Sequence, residues 1–193
     1  MSAELPLHVD NLARADTGAL VVIDVQERLA GAMDPADRTR VLRNAAILLQ
    51  AAGLLEVPTV VTQQYPKGLG PTEPELAAHI PDHATRLDKT AFSCCGADGF
   101  TAALSAAGRP QVVLAGMETH VCVLQTALEL DARGYRVFVV GDACCSRDPA
   151  NADNARDRLR QAGVVVTNTE SLLFEWLGDA RHEQFKALSA LLR

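Results

Sequence analysis

The sequence lacks the features that mark exported, membrane-bound and nucleic-acid-binding proteins. No segment approaches the roughly 20 apolar residues of a membrane span, and the chain does not begin with a basic stretch followed by an apolar run. The formal net charge is −6, so there is no basic excess to attract a polyanion such as DNA. We therefore expect no membrane partner, no nucleic-acid partner and no export.

Cysteine is present, but not in a pattern that suggests disulfides or zinc. The five cysteines are an odd number, four of them form the adjacent pairs Cys94-Cys95 and Cys144-Cys145, and none shows Cys-x-x-Cys spacing. This usage predicts a reduced, cytoplasmic protein without a zinc site. Packing as small residues is the default for the paired cysteines. A redox role, in which one of them pairs with Cys122, stays open.

A glycine-rich loop for a nucleotide cofactor is also missing. The segment 68–73 begins like a dinucleotide fingerprint, but it lacks the third glycine and has Pro71 where the backbone must continue freely. The turn after the first predicted strand has no such loop either. Without a glycine loop to hold phosphate groups, a flavodoxin-like nucleotide binder is not favoured, and we expect no cofactor.

What the sequence does contain is an alternation of short β-branched runs with longer helical patterns, which is typical of βαβ units. A chain of 193 residues can bury a sizeable core. We predict an α/β fold, a Rossmann-like three-layer α/β/α sandwich with a parallel sheet of about six strands, as a single domain over 1–193. The predicted strands are 19–23, 58–61, 84–88, 112–115, 137–140 and 164–167.

Glycine and proline positions predict where the helices begin and end. We treat 1–17 as a lead-in, and 171–193 as one or two amphipathic helices that pack on the domain or on a neighbouring subunit. The other expected helices span about 38–52 with Gly53 as the C-cap, Thr119 to Gly134, and Pro149 to near Gly163 with Asp148 as the N-cap.

Three polar residues of different chemistry lie where predicted strands end. Asp24 ends the first strand, Lys89 ends the third, and Cys122 lies on the first turn of the helix after the fourth. Parallel strands present their C-terminal ends at one edge of the sheet, where open α/β proteins place their sites. The three residues could meet there as acid/base, cation and nucleophile.

Each of the three also has an ordinary structural explanation. Asp24 could be a cap or turn residue, Lys89 a surface lysine, and Cys122 a small buried residue. Because a helix N-terminus favours a negative charge, we expect a lowered pKa for the Cys122 thiol. Its alkylation by iodoacetamide should then have a midpoint well below about 8.5.

Five separated stretches carry a resemblance to a known family. Over nearly its whole length the chain resembles the isochorismatase-like cysteine hydrolases, and most closely their isochorismatase domain-containing branch. The stretches are Val-Ile-Asp-Val-Gln-Glu-Arg at 22–28, Gln-Tyr-Pro-Lys-Gly-Leu-Gly-Pro at 64–71, Lys-Thr-Ala-Phe-Ser at 89–93, Gly-Met-Glu-Thr-His-Val-Cys-Val-Leu-Gln-Thr-Ala at 116–127 and Gly-Asp-Ala-Cys-Cys-Ser-Arg at 141–147.

The resemblance implies a catalytic triad of Asp24, Lys89 and Cys122, and a cis peptide bond between Met117 and Glu118. In the expected mechanism Asp24 takes the thiol proton, Lys89 holds the carboxylate and stabilises the thiolate, and sulfur attacks a carbonyl carbon. Water then hydrolyses the thioacyl enzyme. The backbone N–H groups of Glu118 and Cys122 are the expected oxyanion hole.

Two departures from the wider family bear on the substrate. Nicotinamidase-type members carry an Asp and His metal site after the second strand, but here 62–70 contains no histidine, and Gln63 and Gln64 are poor zinc ligands. We expect no catalytic metal, and nicotinamide is not favoured as substrate. True isochorismatases cleave a vinyl ether and lack the cysteine, so Cys122 favours carbonyl chemistry on a small amide, ureide or related acyl compound.

The substrate pocket should be lined from the same rim. The candidates are Gln26, Tyr65, Phe92, Glu118 and Thr119. A dyad between His120 and Cys122 is not expected, because residues two apart on a helix point about 200° away from each other.

The alternative to an enzyme is a catalytically silent binding or scaffold protein that acts through its oligomer surface. Phe174, Trp176 and Leu177 could supply such a surface, although a helix packing on its own sheet uses the same residues. Relatives are commonly oligomeric, so we expect a homo-oligomer of unknown symmetry.

Overall fold

The computed structural model describes residues 11–193, so 1–10 of the predicted lead-in lie outside the described residues. Six strands form one sheet within that part of the chain, and every neighbouring pair is parallel. This confirms the predicted α/β fold with about six parallel strands. The strands are β1 (Gly18–Ile23), β2 (Thr59–Gln64), β3 (Thr85–Lys89), β4 (Gln111–Met117), β5 (Arg136–Cys145) and β6 (Val165–Thr167).

Helices connect the strands, and the expected proline and capping residues open several of them. Pro149 follows Asp148, whose side chain accepts a hydrogen bond from Ala150 N, as predicted for this N-terminus. The helices are α1 (Glu27–Ala30), α2 (Pro35–Leu54), α3 (Pro66–Leu69), α4 (Pro74–Ala77), α5 (Phe100–Ala107), α6 (Leu124–Ala132), α7 (Pro149–Gln161), α8 (Thr169–Leu177) and α9 (Phe185–Ala190). A 3₁₀ turn (Cys94–Gly96) and a π-helical turn (Thr119–Val123) complete the set.

Alternate residues of the central strand enter two separate cores. Leu20 and Val22 pack into a cluster with residues of α2 and α8, whereas Val21 and Ile23 pack into a second cluster with residues of α5, α6 and α7. Successive side chains of a strand point to opposite faces, so helices cover both faces of the sheet. The result is the predicted three-layer arrangement.

The strand order β3-β2-β1-β4-β5-β6 creates a crevice beside β1. From β1 the chain builds outward to β2 and β3, then returns to pair β4 with the other side of β1 and builds outward again. The C-terminal ends of β1 and β4 therefore lie at the topological switch point, where open α/β sheets bind ligands. Asp24 leaves β1 there, and the turn with Cys122 leaves β4.

Several boundaries differ from those predicted. Gly53 is not the C-cap of α2, because the helix continues to Leu54 and the left-handed residue that follows is Glu56, with φ 53°. Residues 119–123 form a π-helical turn, so the regular helix begins only at Leu124. Neither difference has a signature in hydrophobic periodicity.

None of the helices within residues 11–193 combines the length and the apolar character needed to cross a bilayer.

Candidate active site

The Asp24 carboxylate is fully buried at the end of β1 and is held on both oxygens. Its backbone turns sharply there, with φ 52°, and its N–H donates to Thr62 O of β2 at 3.1 Å. The Thr62 hydroxyl donates to Asp24 Oδ1 at 2.8 Å. The second oxygen, Oδ2, lies 2.6 Å from Lys89 Nζ.

Lys89 is the last residue of β3, and its ammonium is fully buried. Burying a charge is costly unless it is paired and hydrogen-bonded. In addition to its ion pair with Asp24, Lys89 Nζ donates hydrogen bonds to Gln64 Oε1 at 2.6 Å, to Phe92 O at 3.0 Å and to Ala91 O at 3.2 Å. These acceptors fix the ammonium beneath the loop that follows β3.

Cys122 completes the group from the other side of β1. The residue lies in the π-helical turn after β4, is 5% exposed, and its Sγ is 3.5 Å from Lys89 Nζ. The negative charge of the Asp24 carboxylate acts on the same thiol. The structure thus brings Asp24, Lys89 and Cys122 together, although 65 residues separate the first two in sequence and 33 the last two.

The expectation of a lowered pKa for Cys122 is wrong. Burial raises the pKa of this thiol to about 12, the negative charge of the Asp24 carboxylate raises it too, and the opposing effect of Lys89 is smaller. The helix end that we expected to stabilise a thiolate is outweighed by desolvation and by a neighbouring anion. In the free protein at neutral pH, Cys122 is a protonated thiol beside an ion pair.

The turn that carries Cys122 begins with an unusual backbone step. The peptide bond between Met117 and Glu118 is cis, at the position named from the sequence. Glu118 is nearly buried, and its carboxylate accepts hydrogen bonds from the backbone N–H and the guanidinium of Arg147, at 3.0 to 3.3 Å. Burial tends to raise the pKa of Glu118, but the hydrogen bonds from Arg147 hold it below its usual value.

Two of the predicted rim residues are exposed at the site. Tyr65 and Phe92 are both 55% exposed. Each is tied to Lys89, because Tyr65 N donates to Lys89 O at 2.8 Å and Phe92 O accepts from Lys89 Nζ. An open groove of about 570 Å³ is lined by Tyr65 and Lys89 with residues of the adjoining loops.

The other three rim candidates, Gln26, Glu118 and Thr119, are buried. Gln26 is fully buried, and its amide bonds only to the backbone, donating to Gly70 O and Gln64 O and accepting from Gln64 N. Thr119 is fully buried as well, and its hydroxyl has no hydrogen-bond partner among the described residues. Neither Gln26 nor Thr119 lines the open groove beside Tyr65 and Lys89.

The remaining candidates lie outside the triad. The His120 ring is hydrogen-bonded to Ser146 Oγ at 2.9 Å. All five cysteines fall within the described residues and are free thiols. Burial raises the pKa of Cys94 to about 11 and those of Cys144 and Cys145 to about 12, which disfavours their thiolates.

Sequence reasoning missed three residues that contact the site or its turn: Thr62, Gln64 and Arg147. Thr62 and Gln64 were considered only as parts of a segment without metal ligands. Their place in the sequence could have indicated them. Both lie at the C-terminal end of the second strand, and residues two apart on a strand share a face. Arg147 gave no signal beyond its place in a matching stretch.

Within residues 11–193, no three His, Cys, Asp or Glu side chains are grouped so that they could hold a metal ion. At the position where the nicotinamidase-type metal site was considered, the Gln64 amide oxygen accepts from Lys89 instead.

The chain is similar in sequence to a known protein family. Residues 18–171 match the family model described as the isochorismatase domain. A Bos taurus protein named isochorismatase domain-containing protein 2 is 46% identical over 157 residues, which cover 80% of this chain and 74% of the relative.

Solved structures with the same fold include two informative neighbours. A Caenorhabditis elegans protein described as MAR1 ribonuclease superposes with a TM-score of 0.88 at 35% identity, covering 94% of this chain and 92% of that one. The Escherichia coli YcaC product, described as an octameric hydrolase of unknown specificity, superposes with a TM-score of 0.85 at 28% identity, covering 94% and 89%.

Proposed function

Because the chain belongs to the isochorismatase family, whose structural neighbours include hydrolases, we propose that it is a metal-independent cysteine hydrolase. The proposed substrate is a small amide, ureide or related acyl compound, cleaved through a thioacyl-enzyme intermediate. One observation carries the proposal: the buried Lys89 ammonium contacts both Asp24 Oδ2, at 2.6 Å, and Cys122 Sγ, at 3.5 Å. A base, a cation and a nucleophile are thus within reach of one another.

In the proposed reaction the thiol is deprotonated as it attacks. The Cys122 proton moves to Asp24 while sulfur bonds to the substrate carbonyl carbon and the C=O π electron pair moves to the carbonyl oxygen, and Lys89 stabilises the negative charge that develops on sulfur during the attack. Collapse of the tetrahedral intermediate breaks the C–N bond, and Asp24 returns the proton to the leaving nitrogen. A water molecule deprotonated by Asp24 then attacks the thioester, releasing the acid and regenerating the Cys122 thiol.

The tetrahedral oxyanion requires donors aimed at the position where charge develops. We propose the backbone N–H groups of Glu118 and Cys122 for this role. The start of a helical turn leaves N–H groups without helical partners, and both residues lie at such a start. Tyr65 and Phe92 are the proposed substrate contacts, because they are the exposed aromatic side chains on the loops tied to Lys89.

Two other functions are less well supported. A scaffold role through the C-terminal helices loses most of its surface, because Trp176 and Leu177 are buried, while Phe174 packs near Phe185 with ring centroids 6.3 Å apart. The name of the C. elegans neighbour raises RNA as a substrate. The net charge of −6 disfavours a polyanion, so we propose a small neutral substrate instead.

We further propose that the protein is a cytoplasmic homo-oligomer. Free cysteines support the reduced compartment, and the octameric description of the E. coli neighbour supports assembly. Multi-angle light scattering of the purified protein should give a mass of two or more times the 20.6 kDa of one chain. A mass of one chain at micromolar concentration would contradict the assembly.

A substrate panel with matched cysteine variants tests the catalytic proposal. Purified protein is incubated with small amides, ureides, esters and a short RNA, and intact-mass spectrometry after acid quenching looks for an acyl adduct. We expect turnover of a small acyl compound, an adduct on Cys122, and loss of at least about 10³-fold in kcat for Cys122→Ser.

Cys95→Ser is the matched control, since this free thiol is half-buried and no hydrogen bond or ion pair among the described residues joins it to Asp24, Lys89 or Cys122. It should retain activity. Equal hydrolysis by the wild type and Cys122→Ser, or an adduct on another residue, would refute the mechanism. Cleavage of the RNA alone would refute the substrate class.

A further inference from the structure

The strand between the two charged triad residues contributes no triad residue of its own, yet it contacts both. β2 pairs with β1 on one side and with β3 on the other. Its Thr62 hydroxyl donates to Asp24 Oδ1 at 2.8 Å, and its Gln64 Oε1 accepts from Lys89 Nζ at 2.6 Å. Thr62 and Gln64 are two residues apart, so their side chains leave the same face of the strand.

The sheet register brings each contact to its partner. Thr62 is paired with Ile23, the residue before Asp24, and Gln64 is paired directly with Lys89. The Asp24 N–H also donates to Thr62 O, so backbone and side chain of Thr62 both bind Asp24. On the other side, the Gln64 amide donates to Thr90 O at 2.8 Å, which fixes its oxygen toward Lys89.

We infer that Thr62 and Gln64 are positioning residues for the proposed hydrolysis, and that together they hold the carboxylate and the ammonium in register for proton transfer from Cys122. This inference rests on the proposed function. A carboxylate can rotate about its Cβ–Cγ bond, and a lysine ammonium has four methylene groups of freedom. The Thr62 hydroxyl holds one oxygen of the Asp24 carboxylate, and the Gln64 amide oxygen holds the Lys89 ammonium. Both charged groups therefore keep fixed positions beside the thiol.

The intervening residue provides the contrast. Gln63 points to the opposite face of β2, where its amide accepts from Thr72 N at 2.8 Å and donates to Asp88 Oδ1 at 3.0 Å. It has the same chemistry as Gln64, on the same strand, without any contact to Asp24 or Lys89 among the described residues. Gln63→Met is therefore a matched control for Gln64→Met.

Kinetics of four variants test the inference on the substrate identified by the panel. Thr62→Val removes only the hydroxyl and keeps the shape, and it should lower kcat roughly 10- to 100-fold, the range for losing one hydrogen bond to a charged group. KM should change less than about 3-fold, because neither residue is a proposed substrate contact. Gln64→Met should behave in the same way, whereas Thr62→Ser and Gln63→Met should stay within about 3-fold of wild type.

The split between kcat and KM, together with rescue by Thr62→Ser, separates positioning from a general loss of structure. Thr62→Val should lower kcat with little change in KM, and Thr62→Ser should restore kcat because it returns the hydroxyl to Asp24 Oδ1. Unchanged kcat in Thr62→Val, or equal impairment of Thr62→Ser, would overturn the inference.

A measurement without substrate distinguishes this inference from the proposed function. The rate of Cys122 alkylation by iodoacetamide at pH 8 is followed by mass spectrometry of the peptide. It should differ several-fold from the wild-type value in Thr62→Val and Gln64→Met, because Asp24 raises and Lys89 lowers the pKa of Cys122 and both would lose their fixed positions. It should stay at the wild-type value in Thr62→Ser and Gln63→Met, whether or not a substrate is turned over. Inactivity of the wild type on the panel would refute the function alone, whereas equal alkylation of all variants would refute the positioning.

Discussion

At the scale of single residues, the Cys122 thiol and the Asp24 carboxylate both lie next to the buried Lys89 ammonium, so one proton can be exchanged between them. Lys89 is paired with Asp24 in the resting protein, so adding a thiolate at Cys122 would put two anions on one ammonium in a site shielded from water. The interaction between charges is stronger there than in water. Moving the proton from sulfur to carboxylate keeps the net charge of the group constant. The raised pKa of Cys122 therefore fits a nucleophile that ionises only as it attacks.

The Cys122 thiol should therefore titrate at an unusually high pH. We expect the iodoacetamide midpoint of Cys122 to lie above the ordinary thiol value of 9.0, because burial and Asp24 both raise its pKa. Asp24→Asn should lower the midpoint, since it removes the negative charge while keeping the shape. The measurement is the alkylation rate of the Cys122 peptide between pH 6 and pH 11.

Lys89→Met is the opposite control, because the ammonium lowers the pKa of Cys122 and its loss should raise the midpoint further. A wild-type midpoint well below 8.5 would restore the earlier expectation from the helix N-terminus. It would mean that the helix end, rather than desolvation, controls the thiol.

The sequence predicted which residues come together at the site, but it did not predict which side chains around them are buried. Asp24, Lys89 and Cys122 could be named because each ends or follows a strand of a parallel sheet. Gln26 and Thr119 were placed at the rim by the same reasoning, but both are buried. Whether a residue near a strand end faces solvent depends on the loops above it, and those loops have no periodic pattern.

At the scale of elements, the meeting of β1 and β4 depends on one glycine. Gly116 has φ 126°, a conformation that favours glycine, and a Cβ built on it would lie 2.0 Å from Ile23 O and 2.7 Å from Ile23 N. Ile23 immediately precedes Asp24. The close approach of these two backbones brings the carboxylate next to the turn that carries the thiol.

Gly116→Ala should therefore destabilise the fold by about 3 kcal/mol or more, because it combines a strained φ with a clash against backbone that cannot rotate away. Urea unfolding at pH 7 measures the loss. Gly134→Ala is the matched control: its φ is 88°, but its Cβ would meet nothing within 4 Å, so only about 1 kcal/mol of backbone strain is expected. Equal stability of the two variants would show that the backbones can separate at Gly116 without cost.

Sequence patterns predict the presence of the strands better than they predict where each strand ends. All six predicted strands overlap observed strands. The fully buried strands β1 and β4 are nearly continuous apolar runs, which makes them readily recognised in the sequence. β5 extends through Cys145, beyond the predicted end at 140, and its pairing with β4 shifts between Leu114 and Gly116. Such a bulge depends on the partner strand, so periodicity within β5 alone does not predict it.

At the scale of the whole molecule, the sheet order decides what the strand ends can build. The sequence predicted parallel strands but not their order, since each strand could pair with several others of similar composition. In the observed order β2 lies between β1 and β3, which places Thr62 and Gln64 between the two charged residues. The three triad residues could therefore be predicted from the sequence, whereas the contacts of Thr62 and Gln64 with them could not.

The buried thiols also predict how the stability of the whole protein responds to alkali. The pKa values of the buried Cys94 and Cys144 thiols are raised to about 11 and about 12 by desolvation, against an ordinary value of 9.0 in the unfolded chain. Above pH 9 the unfolded chain therefore binds fewer protons than the folded one, so the free energy of unfolding falls as pH rises. The contribution is complete below pH 9 and is lost as pH approaches 11 to 12. Each such thiol contributes a slope of up to about 1.4 kcal/mol per pH unit.

Urea unfolding in reducing buffer at pH 7, 8, 9 and 10 measures this slope, and Cys144→Ala isolates one thiol. The cavity left by the smaller side chain lowers stability by the same amount at every pH, whereas the missing thiol affects only the alkaline slope. Between pH 9 and 10 the variant should therefore lose stability less steeply than the wild type, with parallel values between pH 7 and 8. Identical alkaline slopes would mean that Cys144 ionises in the folded protein as readily as in water, which its complete burial between β4 and the helices opposes.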